Sequence, residues 1–159
     1  MTQTRLSKYL KIIIAGMALA VLAVYLWAIP EIGQSIVRQN PEFSYCYYPW
    51  LILLWITALP CLCALLCGFK IAQSLKSDRA FTAQNARLFK IIAVLAAADA
   101  SFFMLANIVF LFLNMNHPGI CLFSVLILFA GTAIYVVCSG LSYLVNKAAA
   151  LQEQSDWTI

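Results

Sequence analysis

The chain has 159 residues, of which 64% are hydrophobic and 10% are charged, and it carries a formal net charge of +4. With a mean hydropathy of +0.91, it is too apolar for an ordinary soluble domain. The composition therefore excludes the soluble globular classes and indicates an integral membrane protein.

Four long apolar runs predict four membrane-spanning helices, because a helix needs about 20 apolar residues to cross the hydrocarbon core. No run alternates with the period of two of a barrel strand, so the expected fold is an all-α four-helix bundle. It forms a single membrane domain over residues 1–159, with helices predicted at 12–29, 48–69, 91–113 and 120–145. The first run is too long for a typical signal peptide and is expected to remain attached.

The basic residues are divided unequally between the segments that flank these runs. Nine of the ten lie in the N-terminal tail, the segment 70–90 and the C-terminal tail, whereas Arg38 alone lies on the other side. The positive-inside rule therefore predicts that both termini and the segment 70–90 are cytoplasmic.

The segment 70–90 holds most of this charge, and we name it the basic elbow. The first interpretation is that these charges fix the orientation of the spans in the membrane. The alternative is a docking site for a partner or a lipid headgroup, formed by Lys76, Arg79, Arg87 and Lys90. Thr82 is expected to cap the helix that runs into the third span, since its side chain can accept a hydrogen bond from a first-turn amide.

The sequence of the basic elbow, "SDRAFTAQNARLFKIIA", has Phe81 and Thr82 followed by Asn85 and then by the run 88–92. It resembles the elbow of a bacterial family catalogued as domain of unknown function 2975. The resemblance implies a small four-span protein of the bacterial inner membrane and no particular activity. It also implies a partner, because members are often encoded beside a small helix-turn-helix regulator of the Cro/CI type.

The third run contains Asp99, the only acidic residue within a predicted span. It lies about 12 Å from the cytoplasmic start of that span, where an ionisable group is costly and is by default a functional-site hypothesis. One side of this helix carries the small or polar residues Ala93, Ala96, Ala100 and Asn107, so it is expected to pack closely against a neighbour.

The fourth run carries a polar stripe on one side. Its members are Cys121, Ser124, Gly131, Thr132, Tyr135, Ser139, Ser142 and Asn146. One interpretation is polar packing between helices. The other is a ligand or proton site made of Asp99, Asn107, Thr132, Tyr135 and Ser139. In that site Tyr135 and Ser139 are expected to bracket the depth of Asp99, so that either hydroxyl can hydrogen-bond its carboxyl group.

Two cysteines are predicted at the outer face, Cys46 before the second span and Cys121 at the start of the fourth. We expect them to form a disulfide if that face is oxidising and their Cα atoms approach within about 7 Å. Three more cysteines lie on the second span, but the chain has no CxxC pair and its single His is distant, so no metal site is predicted.

No catalytic constellation is present in the sequence, so we expect no enzyme, no cofactor and no direct binding to nucleic acid. The predicted function is a non-enzymatic regulatory or interaction component of the membrane. Its cytoplasmic face would dock a partner such as a transcription regulator. The alternative is a small transporter or ligand sensor, proton-coupled and assembled as a homo-oligomer, that uses Asp99 and the polar stripe.

Overall fold

The computed structural model describes residues 3–75 and 81–156, and within these residues the chain is all-α, with no strand. Its helices are α1 Gln3–Ala23, α2 Ile29–Gln39, α3 Ser44–Ser74, α4 Ala83–Phe112 and α5 Pro118–Asp156. The described residues include four helical stretches long and apolar enough to cross a membrane: Arg5–Gln39, Pro41–Ser74, Ala83–Phe112 and Pro118–Gln154. Four spans were predicted, and each helical stretch extends beyond its predicted helix at one end or at both.

A π-helical turn over Val24–Ala28 joins α1 to α2 without a break. In this turn the amide of Ile29 donates to the carbonyl of Val24, five residues back. The same spacing would pair the next amide with the carbonyl of Tyr25, but the next residue is Pro30, which has no N–H. The indole Nε1 of Trp55 on α3 donates to that carbonyl instead, at 3.0 Å.

Helices α1 and α2 run antiparallel to α3 along most of its length. At one end Ser7 donates to the carbonyl of Ala72 at 2.6 Å, and at the other Gln34 reaches the hydroxyl of Tyr47 at 3.5 Å. The buried Ser7 hydroxyl therefore has a partner, and α3 receives contacts at both of its ends.

The closest packing in the molecule is between α4 and α5, which are also antiparallel. Ser142 donates to the carbonyl of Ala86 at 2.7 Å, and Ser124 contacts the sulfur of Met104 at 2.9 Å. Between these contacts Gly131 lies so close to α4 that a Cβ there would meet Ala100 and the Ala96 carbonyl oxygen. The predicted small-residue side of α4 therefore does pack closely against a neighbour, and that neighbour is α5.

The described helices form an open row rather than a closed ring. Helix α1 packs against α3, α3 against α4, and α4 against α5, and within the described ranges α1 contacts neither α4 nor α5 and α3 does not contact α5. Few side chains are fully buried as a result. The large apolar side chains that remain exposed are those that lipid would cover.

A short turn over residues 113–117 connects α4 to α5. Asn114 has a left-handed φ of 56°, and the amides of Asn114 and Met115 donate to the carbonyls of Leu111 and Phe110. This is a Schellman motif, in which Asn takes the place more often held by Gly. We call this side of the molecule the loop end, and the opposite side, which holds Gln3, Ser74, Ala83 and Asp156, the terminal end.

Candidate functional site

Asp99 lies on α4 midway along the spans, as predicted, and is partly buried. It lies near Cys61 of α3, the helix that packs against α4 on the side away from α1. Within residues 3–75 and 81–156, no hydrogen bond or ion pair reaches this carboxylate.

The predicted hydrogen bonds from Tyr135 and Ser139 to Asp99 are wrong. The contacts of Ser124, Gly131 and Ser142 with α4 set a register in which Asp99 is level with Phe129. Tyr135 and Ser139 therefore lie about 9 and 15 Å nearer the terminal end. The prediction aligned residue 91 with residue 145, the ends of the two apolar runs, whereas in the structure residue 145 is level with Ala83, where α4 begins eight residues before its run.

The other members of the predicted site have local roles. Asn107 is fully buried, donates to the carbonyl of Phe103 at 2.8 Å and accepts from Asn116 in the turn at 2.8 Å. Thr132 is exposed and donates to the carbonyl of Leu128, on its own helix, at 2.8 Å. Asp99, Asn107, Thr132, Tyr135 and Ser139 therefore do not converge into a single site within one chain.

The basic elbow is partly described. Thr82 accepts a hydrogen bond from the amide of Asn85 at 3.2 Å, so the predicted cap is confirmed. The side chain of Asn85 is buried and donates to Ser74 at 2.6 Å, which ties the start of α4 to the end of α3. Arg87 and Lys90 are exposed on the first turns of α4. Lys76 and Arg79 lie outside the described residues.

Helix α5 extends beyond the rest of the bundle at the terminal end. In the α4–α5 register, Val145 is level with Ala83, the first residue of α4. The residues from 146 to the end of α5 at Asp156 therefore continue for about 16 Å past α4. We call this segment the α5 overhang. Its side chains from 150 to 154 are exposed, including the apolar side chain of Leu151.

Cys46 and Cys121 are both free in the structure, so it does not contain the predicted disulfide. Hydrogen bonds connect the same two segments instead. Tyr45 donates to the carbonyl of Asn114 at 3.0 Å, and Trp50 donates to the carbonyl of Met115 at 2.9 Å. These bonds hold the start of α3 against the turn without a covalent link.

An apolar cavity of about 480 Å³ opens at the loop end and was not predicted. Helix α2 contributes one face of five residues, and the remaining walls come from the start of α3 and from Met115 and Ile120 near the turn. The face of α2 consists of Ile29, Ile32, Gly33, Ile36 and Val37. That spacing is the period of an amphipathic helix, so the signal was present in the sequence just after the first apolar run.

The fold and these sites define an all-α integral membrane protein with four candidate spans and polar surfaces at both ends. The chain belongs to the family described as "Protein of unknown function (DUF2975)", which matches residues 31–159. It is similar to the uncharacterized membrane protein YoaS of Bacillus subtilis (strain 168), with 26% identity over 153 residues that cover 95% of this chain and 96% of the relative. No solved structure matches the chain significantly.

Proposed function

We propose that this membrane protein is a non-enzymatic regulatory or interaction component that docks a cytoplasmic partner at its terminal end. A small helix-turn-helix regulator is the partner that the family resemblance implies. We also propose that the membrane protein is located in the bacterial inner membrane. Binding would hold the regulator at the membrane and away from its DNA sites.

The observation that carries this proposal is the α5 overhang. Lipid contact does not require a helix to continue about 16 Å past its packing partner. Exposed Gln152 and Glu153 make this segment polar, while Leu151 is apolar and 59% exposed. A large exposed apolar side chain beside polar ones on a helix outside the bilayer is a suitable anchor for a protein surface.

The charge at the terminal end supports the same proposal. Arg87 and Lys90 are exposed on the first turns of α4, at the same end of the molecule, and Lys147 is exposed on the overhang itself. Such a cationic surface attracts a partner with an acidic patch and raises its rate of association. The same charges also fit the positive-inside rule, so the docking role requires a separate test.

The experiment is an affinity pull-down from native membranes with three variants. The first lacks residues 146–159, the second is Arg87→Gln with Lys90→Gln, and the third is the control Arg5→Gln with Lys8→Gln. The control removes two exposed charges at the same end but on α1, at the far side of the row. The proposal expects the partner with wild type and control and its loss from the other two. Equal recovery with all three variants would reject it.

A second candidate is a small transporter or sensor that uses Asp99. It is favoured by the carboxylate without a hydrogen bond among the described residues, because such a group inside a membrane is often completed by an ion, a ligand or another subunit. The open row leaves room for a second copy of the chain to supply that partner. Asp99→Asn, which keeps the shape and removes the charge, should then fold normally and lose the cellular phenotype of a deletion. A wild-type phenotype would exclude this candidate.

A further inference from the structure

The apolar cavity at the loop end has the size and lining of a ligand site. Its volume of about 480 Å³ lies within the range of about 300–1,000 Å³ that small-molecule sites usually occupy. Three separate segments of the chain form it: the apolar face of α2, Phe43 with the start of α3, and Met115 with Ile120 at the start of α5. It is therefore a feature of the tertiary structure and not a gap beside one helix.

Several apolar side chains of the cavity wall are exposed, as are many others on the outer faces of the helices. Ile32, Ile36 and Phe43 line the cavity and are 60%, 52% and 48% exposed. Each would leave apolar area in water at a cost of about 25 cal/mol per Å² unless hydrocarbon covered it. The opening is therefore suited to an apolar chain that enters from the bilayer.

The depth of the cavity indicates a ligand with one apolar and one polar end. Tyr45, Tyr47, Tyr48 and Trp50 are concentrated at the start of α3, beside the cavity. Tyr and Trp are enriched at the level of the lipid headgroups, where one part of a side chain is in hydrocarbon and another in water. A molecule in this cavity would have its tail among the apolar walls and its polar group at the interface.

A cation is available at the opening. Arg38 follows the cavity-lining Val37 and donates to Gln34 at 3.2 Å, and Gln34 in turn reaches the hydroxyl of the cavity-lining Tyr47 at 3.5 Å. Within the described parts of the chain, Arg38 hydrogen-bonds this neutral amide and forms no ion pair with a carboxylate. Its guanidinium is thus available to a phosphate, which matches its fork of donors.

We propose that this cavity is a specific binding site for an acyl chain of a bilayer phospholipid, whose phosphate binds Arg38. The site lies at the opposite end of the molecule from the α5 overhang. It does not depend on the proposed partner, because the residues that line it lie at the loop end, away from the overhang.

The test uses the full chain in lipid nanodiscs that contain a small fraction of phosphatidylglycerol with a photoreactive group in its acyl chain. After irradiation, cross-links are mapped by mass spectrometry. The expected result is saturable labelling of the cavity-lining Leu51 and Leu54, reduced by unlabelled phosphatidylglycerol. The same photoreactive acyl chain on a neutral, phosphate-free glycerolipid is expected to label these residues weakly.

Two variants and one control make the result decisive. Ile32→Trp fills the opening and Arg38→Gln removes the cation, and each should lower labelling of Leu51 and Leu54 about tenfold. Leu19→Trp is the control, since Leu19 is 69% exposed on α1 and does not line the cavity. Labelling that does not saturate, or that all three variants leave unchanged, would show only general lipid contact and overturn the proposal.

Discussion

Several polar side chains in the spans are satisfied by a carbonyl in this chain, whereas the Asp99 carboxylate has no hydrogen bond among the described residues. Ser7 and Ser142 donate to carbonyls of neighbouring helices, and Ser124 donates to its own helix at Cys121. Such bonds are what polar residues in a membrane interior require. The sequence pattern identified the polar residues of the spans, including Asp99, but it assigned Asp99 the wrong partners. A hydrogen bond between two helices depends on their relative position along the bundle axis, which the pattern does not give.

The structure changes what is expected when Asp99 is replaced. Asp99→Leu removes a costly ionisable group and, among the described residues, breaks no hydrogen bond. Its thermal stability in detergent should therefore equal or exceed that of wild type. Asn107→Leu is the comparison, because it breaks the bonds to Phe103 and Asn116 and should cost about 1–3 kcal/mol. Equal losses in the two variants would reveal a stabilising partner of Asp99.

At the level of the helices, the apolar runs located all four spans, and the small-residue pattern identified the face of α4 that packs. The register between α4 and α5 was not predictable in the same way. It depends on how far each helix continues beyond its apolar run, and α4 begins at Ala83, eight residues before its run. Helix α2 was missed because it directly follows a span without a break, although its apolar residues have helical spacing.

Gly131 tests the packing of α4 against α5. A Cβ at this position would clash with Ala100 and lie 3.0 Å from the Ala96 carbonyl oxygen. Gly131→Ala should therefore separate the helices and cost about 1–3 kcal/mol. Gly140→Ala is the matched control on the same helix, since nothing lies within 4 Å of its Cβ. Thermal unfolding in one detergent measures both, and equal stability of the two variants would contradict this packing.

The π-helical turn gives a prediction that couples two helices. Trp55→Phe removes the donor to the carbonyl of Tyr25 and should destabilise the protein by about 1–3 kcal/mol. Pro30→Ala restores an amide that can donate to this carbonyl, so Trp55→Phe should cost less in that background. A double-mutant cycle of unfolding free energies measures the coupling. Additive effects would show that Trp55 does not compensate for the proline.

On the scale of the whole molecule, the open row separates two surfaces by the thickness of the membrane. The terminal end has the basic elbow and the α5 overhang, and the loop end has the apolar cavity and its aromatic residues. Composition predicted the spans and the charge asymmetry. It could not predict the cavity, because that space arises only when α2 packs against α3 and both meet the turn before α5.

The central claim is that the α5 overhang and the basic elbow face the cytoplasm, where a regulator can bind. The most direct measurement is labelling of intact bacterial cells with a membrane-impermeant maleimide, using cysteine-free protein with one added cysteine. Suitable exposed positions are Glu42 at the loop end and Gln84 and Gln152 at the terminal end. The account predicts labelling of Glu42→Cys in intact cells and of Gln84→Cys and Gln152→Cys only after permeabilisation. The reverse pattern would place the overhang outside the cell and contradict the proposed docking of a cytoplasmic partner.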